Sequence, residues 1–191
     1  MAKVSTSSFR TGMVIELENE LYSIVNYQHV KPGKGGAFLR TKLKGVVNDK
    51  NIEKKFRSGE DVEEIRVEHQ PFQFLYKDGN LYYFMHQETY RQFPVSEENV
   101  KQPEFFAEGQ VCTLVIDVDN EQVLYAEPPD HIVATVADTR PGLKGDTAQG
   151  GSKPATLESG ATVQVPLFIN EGEEIKVDTR TSEYIERVTT N

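Results

Sequence analysis

Helical periodicity is almost absent from this chain of 191 residues, and that absence constrains the fold more than any other feature. β-Branched and aromatic residues come in short runs separated by turn residues, the pattern of small all-β domains. Residues 13–18 and 21–30 flank a turn at Asn19-Glu20, and residues 37–47 and 52–56 flank Asn48-Asp49-Lys50. Residues 71–76 and 81–85 flank Lys77-Asp78-Gly79-Asn80, a hairpin signal centred on Asp-Gly. Residues 111–118 and 123–126 flank Asp119-Asn120, and 161–169, 174–177 and 184–188 supply the last strands. Only residues 96–102 read as a helical turn, with Ser96 as its N-cap. Breaks near Ile65-Arg66 and Pro128-Pro129 divide the chain into segments 1–65, 66–128 and 129–191, each suited to a five- or six-stranded barrel.

The charge is unevenly spread. The chain carries a net charge of −9, yet residues 1–65 hold 11 Lys+Arg against 9 Asp+Glu, while residues 66–128 hold 4 against 11. Residues 28–57 alone contain nine basic residues against Asp49 and Glu53. An acidic protein with one basic island presents positive charge to RNA at one end and repels it elsewhere. Within the island, Lys31-Pro32-Gly33-Lys34-Gly35-Gly36-Ala37 places Lys34 at the tip of a turn between two strands. Pro32 fixes its own φ, and Gly33, Gly35 and Gly36 admit φ values that other residues avoid. Alternation along the following strand puts Leu39, Thr41 and Leu43 on one face and Arg40, Lys42 and Lys44 on the other. The result is a basic stripe leading to a projecting lysine, suited to a phosphate backbone; Lys31, Arg40, Lys42 and Lys44 are its expected contacts. The plainer alternative is a set of solvated surface lysines.

Other chemistries find little support. The single cysteine, Cys112, lies in an apolar run and reads as a small core residue, and the four histidines have no ligand-like spacing, so neither a metal nor any other cofactor is expected. The segment Gly145-Asp146-Thr147-Ala148-Gln149-Gly150-Gly151-Ser152 has glycine where a nucleotide-binding P-loop requires lysine. No nucleophile elbow or paired acid and base is evident, so the chain is not expected to be an enzyme. No apolar run approaches the roughly 18 residues of a membrane span, and the N-terminus has no signal-peptide core. A cytoplasmic monomer, with no membrane partner, is the expectation.

With both glycine-rich loops in view, the chain resembles the bacterial elongation factor P family over essentially its whole length. The resemblance rests on Phe9-Arg10-Thr11-Gly12, on the run from Val30 through Lys34 to Phe38, and on Phe56-Arg57-Ser58-Gly59-Glu60. It continues through Tyr76-Lys77-Asp78-Gly79, Phe84-Met85 and Glu88-Thr89-Tyr90. Its most specific block begins at Gly142-Leu143-Lys144-Gly145-Asp146-Thr147-Ala148 and ends with Val177-Asp178-Thr179-Arg180 and Glu183-Tyr184. His86-Gln87 departs from the family, where many relatives carry aspartate after the methionine.

The resemblance implies three small β-barrels in an L shape: an SH3-like, KOW-like N-terminal barrel followed by two OB-folds. It implies a non-enzymatic factor that binds the 70S ribosome beside the peptidyl-tRNA and relieves stalling at consecutive prolines. By resemblance, Lys34 is the modified position, and lysine rather than arginine there favours lysylation by a lysyl-tRNA synthetase paralogue. Gly145, Asp146 and Thr147 would face the small subunit and the mRNA at the exit site.

Overall fold

The computed structural model describes residues 2–141 and 151–188. The chain divides into two compact units, Met1–Gln70 with Val115–Tyr125 and Pro71–Leu114 with Ala126–Asn191. Every regular element is a strand or a single 3₁₀ turn among the described residues.

The first sheet has six antiparallel strands: β1 (Ala2–Ser5), β2 (Val14–Leu17), β3 (Glu20–Val30), β4 (Phe38–Gly45), β5 (Asn51–Arg57) and β6 (Asp61–Ile65). They lie in the order β1-β6-β2-β3-β4-β5. The β2–β3 turn is Glu18-Asn19, one residue earlier than the sequence suggests, with Leu17 paired to Glu20. Both turn residues have positive φ, +53° and +64°, the pattern of a type I′ hairpin whose twist matches the strands. The inner face buries Phe9, Met13, Ile15, Tyr22, Ile24, Leu39, Leu43, Phe56 and Val62. Thr41 is sealed among them at 0% exposure, and its hydroxyl has no hydrogen-bond partner among the described residues. A second cluster in this unit joins Val14, Val46 and Ile65 to Val115, Leu124 and Tyr125.

The second sheet comprises β7 (Val67–Asp78), β8 (Leu81–His86), β9 (Gln92–Ser96), β10 (Val111–Asp117) and β11 (Gln122–Glu127), in the order β11-β10-β7-β8-β9. The β7–β8 turn is Gly79-Asn80, with Asp78 paired to Leu81 and Gly79 at φ +59°. That is a Gly-X turn rather than one centred on Asp-Gly. His86 follows, and its Nδ1 accepts the backbone N–H groups of Glu88 and Thr89 at 3.2 and 3.3 Å. It thereby caps the turn as an aspartate oxygen could. The helical turn expected at 96–102 is a 3₁₀ turn over Glu97–Asn99, and the Ser96 side chain makes no cap bond. Cys112 is buried, its thiol donates to the Phe72 carbonyl at 3.3 Å, and burial pushes its pKa to about 12.

A closed barrel completes the chain, formed by β12 (His131–Thr139), β13 (Ser152–Leu157), β14 (Thr162–Pro166), β15 (Glu174–Asp178) and β16 (Glu183–Arg187). Its order is β12-β13-β14-β16-β15, with β14 and β16 meeting in parallel at Gln164 and Glu183. Ile132, Val136, Leu157, Val163, Val165, Ile175 and Val177 form its core, and Phe105 belongs to the same cluster. Phe105 comes from a 3₁₀ turn over Pro103–Phe105, well before the barrel in sequence. Alongside it, the Gln102 carboxamide donates to the Thr179 carbonyl, and the Thr179 hydroxyl donates to the Pro129 carbonyl at 2.8 Å.

Candidate nucleic-acid interface

The lysine loop closes the β3–β4 hairpin. Pairing runs from Tyr22–Gly45 up to Val30–Phe38, leaving residues 31–37 as an exposed seven-residue loop. Of its three glycines only Gly35 has positive φ, +110°. A Cβ there would meet Pro32 Cγ at an ordinary 3.8 Å, so backbone conformation rather than space is what requires glycine. At the base of the loop, the Ser58 N–H donates to the Ala37 carbonyl at 3.0 Å. Lys34 stands at the tip in solvent, as the sequence suggests, with Pro32, Gly33 and Gly36 exposed around it.

Behind the tip, β4 alternates as expected. Leu39, Thr41 and Leu43 are 0–1% exposed, whereas Arg40, Lys42 and Lys44 face outward. Register with β5 then extends the cationic face. Arg40 lies opposite Lys55, Lys42 opposite Glu53, and Phe38 opposite Arg57. Directly opposed residues share a face with Cβ atoms about 5 Å apart. Lys55 and Arg57 therefore join the stripe, and the Lys55 ammonium sits over the Phe38 ring at 5.5 Å. The pattern of β4 alone misses these two; the same alternation applied to residues 51–57, with the register known, finds them.

Two stripe residues have carboxylate neighbours. Arg40 Nε lies 3.5 Å from Glu53, and Lys44 Nζ lies 2.9 Å from Asp49. All four side chains are about half exposed, so such pairs are screened and contribute little to stability. A phosphate can replace the carboxylate at small cost. Lys31 lies at the start of the loop, exposed, on the same hairpin. Gly145, Asp146 and Thr147, the second expected contact region, lie outside the described residues.

Elsewhere the first unit has a cleft of about 440 Å³ lined by Arg10, Thr11, Met13, Glu64, Arg66 and Val118. Its guanidiniums are engaged, Arg10 with Glu64 and Arg66 with Asp119, each at 2.6 Å. The hydrogen bond from Arg66 holds the Asp119 carboxyl below the usual carboxylate range. No group of three or more His, Cys, Asp or Glu side chains is placed to hold a metal ion among the described residues. No helix there is long and apolar enough to cross a membrane.

Comparison with known proteins identifies the family. Three family models match in succession: the elongation factor P KOW-like domain over residues 5–62, the elongation factor P OB domain over 67–126, and the elongation factor P C-terminal domain over 132–187. Elongation factor P of Azobacteroides pseudotrichonymphae is 48% identical over 96% of this chain and 98% of its own length. The Bacteroides thetaiotaomicron protein of that name is 48% identical over 97% and 98%, and that of Salinibacter ruber 50% over 96% and 95%. Among solved structures, translation initiation factor 5A from Methanococcus jannaschii shares the fold with a TM-score of 0.53 at 21% identity. That likeness covers 65% of this chain and 93% of the Methanococcus jannaschii one. The chain belongs to the elongation factor P family and is a bacterial-type translation elongation factor.

Proposed function

We propose that this factor binds the 70S ribosome beside the peptidyl-tRNA and speeds peptide-bond formation at consecutive prolines. Lys34, carrying the family's modification, steadies the acceptor end of the tRNA. The carrying observation is the projection of Lys34 from a hairpin whose outer flank holds Arg40, Lys42, Lys44, Lys55 and Arg57. Such a face tracks a phosphate backbone while the tip reaches past it. Proline attacks through a ring-bound secondary amine, and a proline-rich chain is stiff, so the barrier rises largely through orientation. Steadying the tRNA end restores productive geometry without a protein group touching the reacting atoms. The protein is then a positioning factor in the cytoplasm and not an enzyme, with ribosomal RNA as the catalyst.

Segments 1–65, 66–128 and 129–191 act as its three working parts, the last presenting Gly145, Asp146 and Thr147 to the exit-site mRNA. A lysyl-tRNA synthetase paralogue is the enzyme class suited to modifying Lys34. The test is the rate of peptide-bond formation across three prolines in a reconstituted translation system, with factor purified from its own host. Wild type is expected to accelerate the reaction and Lys34→Ala to lose most of that effect. Equal rescue by both would move the mechanism from the loop to the barrels.

A further inference from the structure

The hairpin that bears Lys34 is supported unequally along its two sides. β4 is flanked by β5 as far as Phe38–Arg57. β3, in contrast, pairs with β2 only over Glu20–Ser23, with two further bonds at Ile24, to Gly12 and Met13. From Val25 to Val30 its ladder runs, among the described residues, to β4 alone. Over residues 25–30, β3 is thus the open edge of the three strands β3-β4-β5, and the side of the hairpin with fewer backbone bonds to fix the angle of the loop.

What supports it is a ladder of rings. The buried Phe56 ring meets Phe9 edge-on, centroids 5.3 Å apart at 84°. Phe9 meets Tyr27 at 6.4 Å and 85°, and Tyr27 meets His29 at 6.1 Å and 78°. Every step has the edge-to-face geometry that aromatic quadrupoles favour. The ladder starts in the core, with Phe9 and Phe56 4% and 1% exposed, and ends at His29 in solvent, two residues before Lys31. Its root is anchored as well. The buried Thr6 hydroxyl donates to the Arg57 carbonyl at 3.2 Å and accepts the Gly59 N–H at 2.9 Å. Those bonds secure the turn whose Ser58 N–H holds Ala37 at the base of the loop.

We propose that Tyr27 and His29 are positioning residues for Lys34: they carry the core's aromatic packing out along the poorly supported strand and set how firmly the loop is held. The functional part of this inference rests on the reading of Lys34 given above; the mechanical part does not. The experiment therefore has two arms, run on the full chain as wild type, Tyr27→Leu, Tyr27→Phe and His29→Ala. In ¹⁵N relaxation, Tyr27→Leu should lower the order parameters of Gly33, Gly35 and Gly36 while leaving Gly79 unchanged, and Tyr27→Phe should match wild type. In triple-proline synthesis, Tyr27→Leu should cut the rate at saturating factor fivefold or more, with the half-saturating concentration shifting less than twofold.

Unchanged loop order in Tyr27→Leu would overturn the proposal, as would a loss confined to the half-saturating concentration. Should Tyr27→Leu not fold, His29→Ala, at an exposed site, decides by the same measures: loosening confined to residues 31–37 supports the ladder and none overturns it. Absence of rescue by the wild type would remove the functional reading and leave the relaxation arm to decide the mechanical one.

Discussion

Replacing Phe105 by alanine tests whether the C-terminal barrel depends on a residue outside its own sequence. The ring is 1% exposed and packed with Ile132, Leu157, Val163, Ile175 and Val177. A phenylalanine side chain buries about 150–250 Å², which at about 25 cal/mol per Å² is about 4–6 kcal/mol. Alanine retains part of that, and measured Phe→Ala losses in cores run about 3–5 kcal/mol. We expect a loss of about 4 kcal/mol, concentrated where the cavity opens. Hydrogen exchange locates it: at about 1.4 kcal/mol per factor of ten, barrel amides such as Ala155 and Val177 should exchange about a thousandfold faster. Ile24 and Leu43, in the other unit, should keep their protection. Equal acceleration in both sets, or a change below tenfold in the barrel, would refute the claim that Phe105 is a working part of that core.

Further outcomes follow from the same geometry. If the face of β4 and β5 binds phosphates, replacing Arg40, Lys42 and Lys44 with glutamine should flatten the salt dependence of binding on a log–log plot, by about 0.7 for each phosphate left unneutralised; an unchanged slope removes them from the interface. Thr41→Val deletes a sealed hydroxyl that has no partner among the described residues and should stabilise the protein by about 1 kcal/mol or more in urea denaturation, whereas destabilisation would mean that the hydroxyl is satisfied in solution. Asp178, held at a pKa of about 2 chiefly by hydrogen bonds from Arg180, sits below its unfolded value near 3.9. Its contribution is therefore present above pH 4 and lost as pH falls towards 2, so Asp178→Asn should reduce the slope of stability against pH in that window.

Much of this is legible in the sequence where a pattern is local. Alternation along residues 39–44 assigns each of those six side chains to its proper face, and the composition of 31–37 marks the loop. Features that depend on pairing are not legible. Lys55 and Arg57 join the stripe only through the β4–β5 register, which neither strand's own pattern encodes. β13 is hidden because Pro154 argues against a strand, yet Pro154 pairs with Gln164 there. β1, β6 and β9 are runs of only four or five residues, whereas β12 does carry a signal, the β-branched run Ile132-Val133-Ala134-Thr135-Val136 between Pro129-Asp130 and Pro141, which the strand reading above leaves out. Phe105 sits in a polar, proline-containing stretch that reads as connection, and only the folded chain brings it into a core. The same holds for Phe9, whose place in the ring ladder depends on partners 18 and 47 residues further along the chain, at Tyr27 and Phe56.

The setting of Cys112 has a practical consequence. With its pKa at about 12, only about one thiol in 10⁵ is ionised at neutral pH, against a few per cent for a free cysteine. Sealed in the sheet as well, Cys112 is expected to react far more slowly with alkylating reagents than an exposed cysteine. A second cysteine introduced on the exposed loop would take a fluorophore or a photocrosslinker alone, with no need to remove Cys112 and disturb the sheet around Phe72. The slow labelling that Cys112 does undergo then becomes a clock, counting the moments when the second sheet opens.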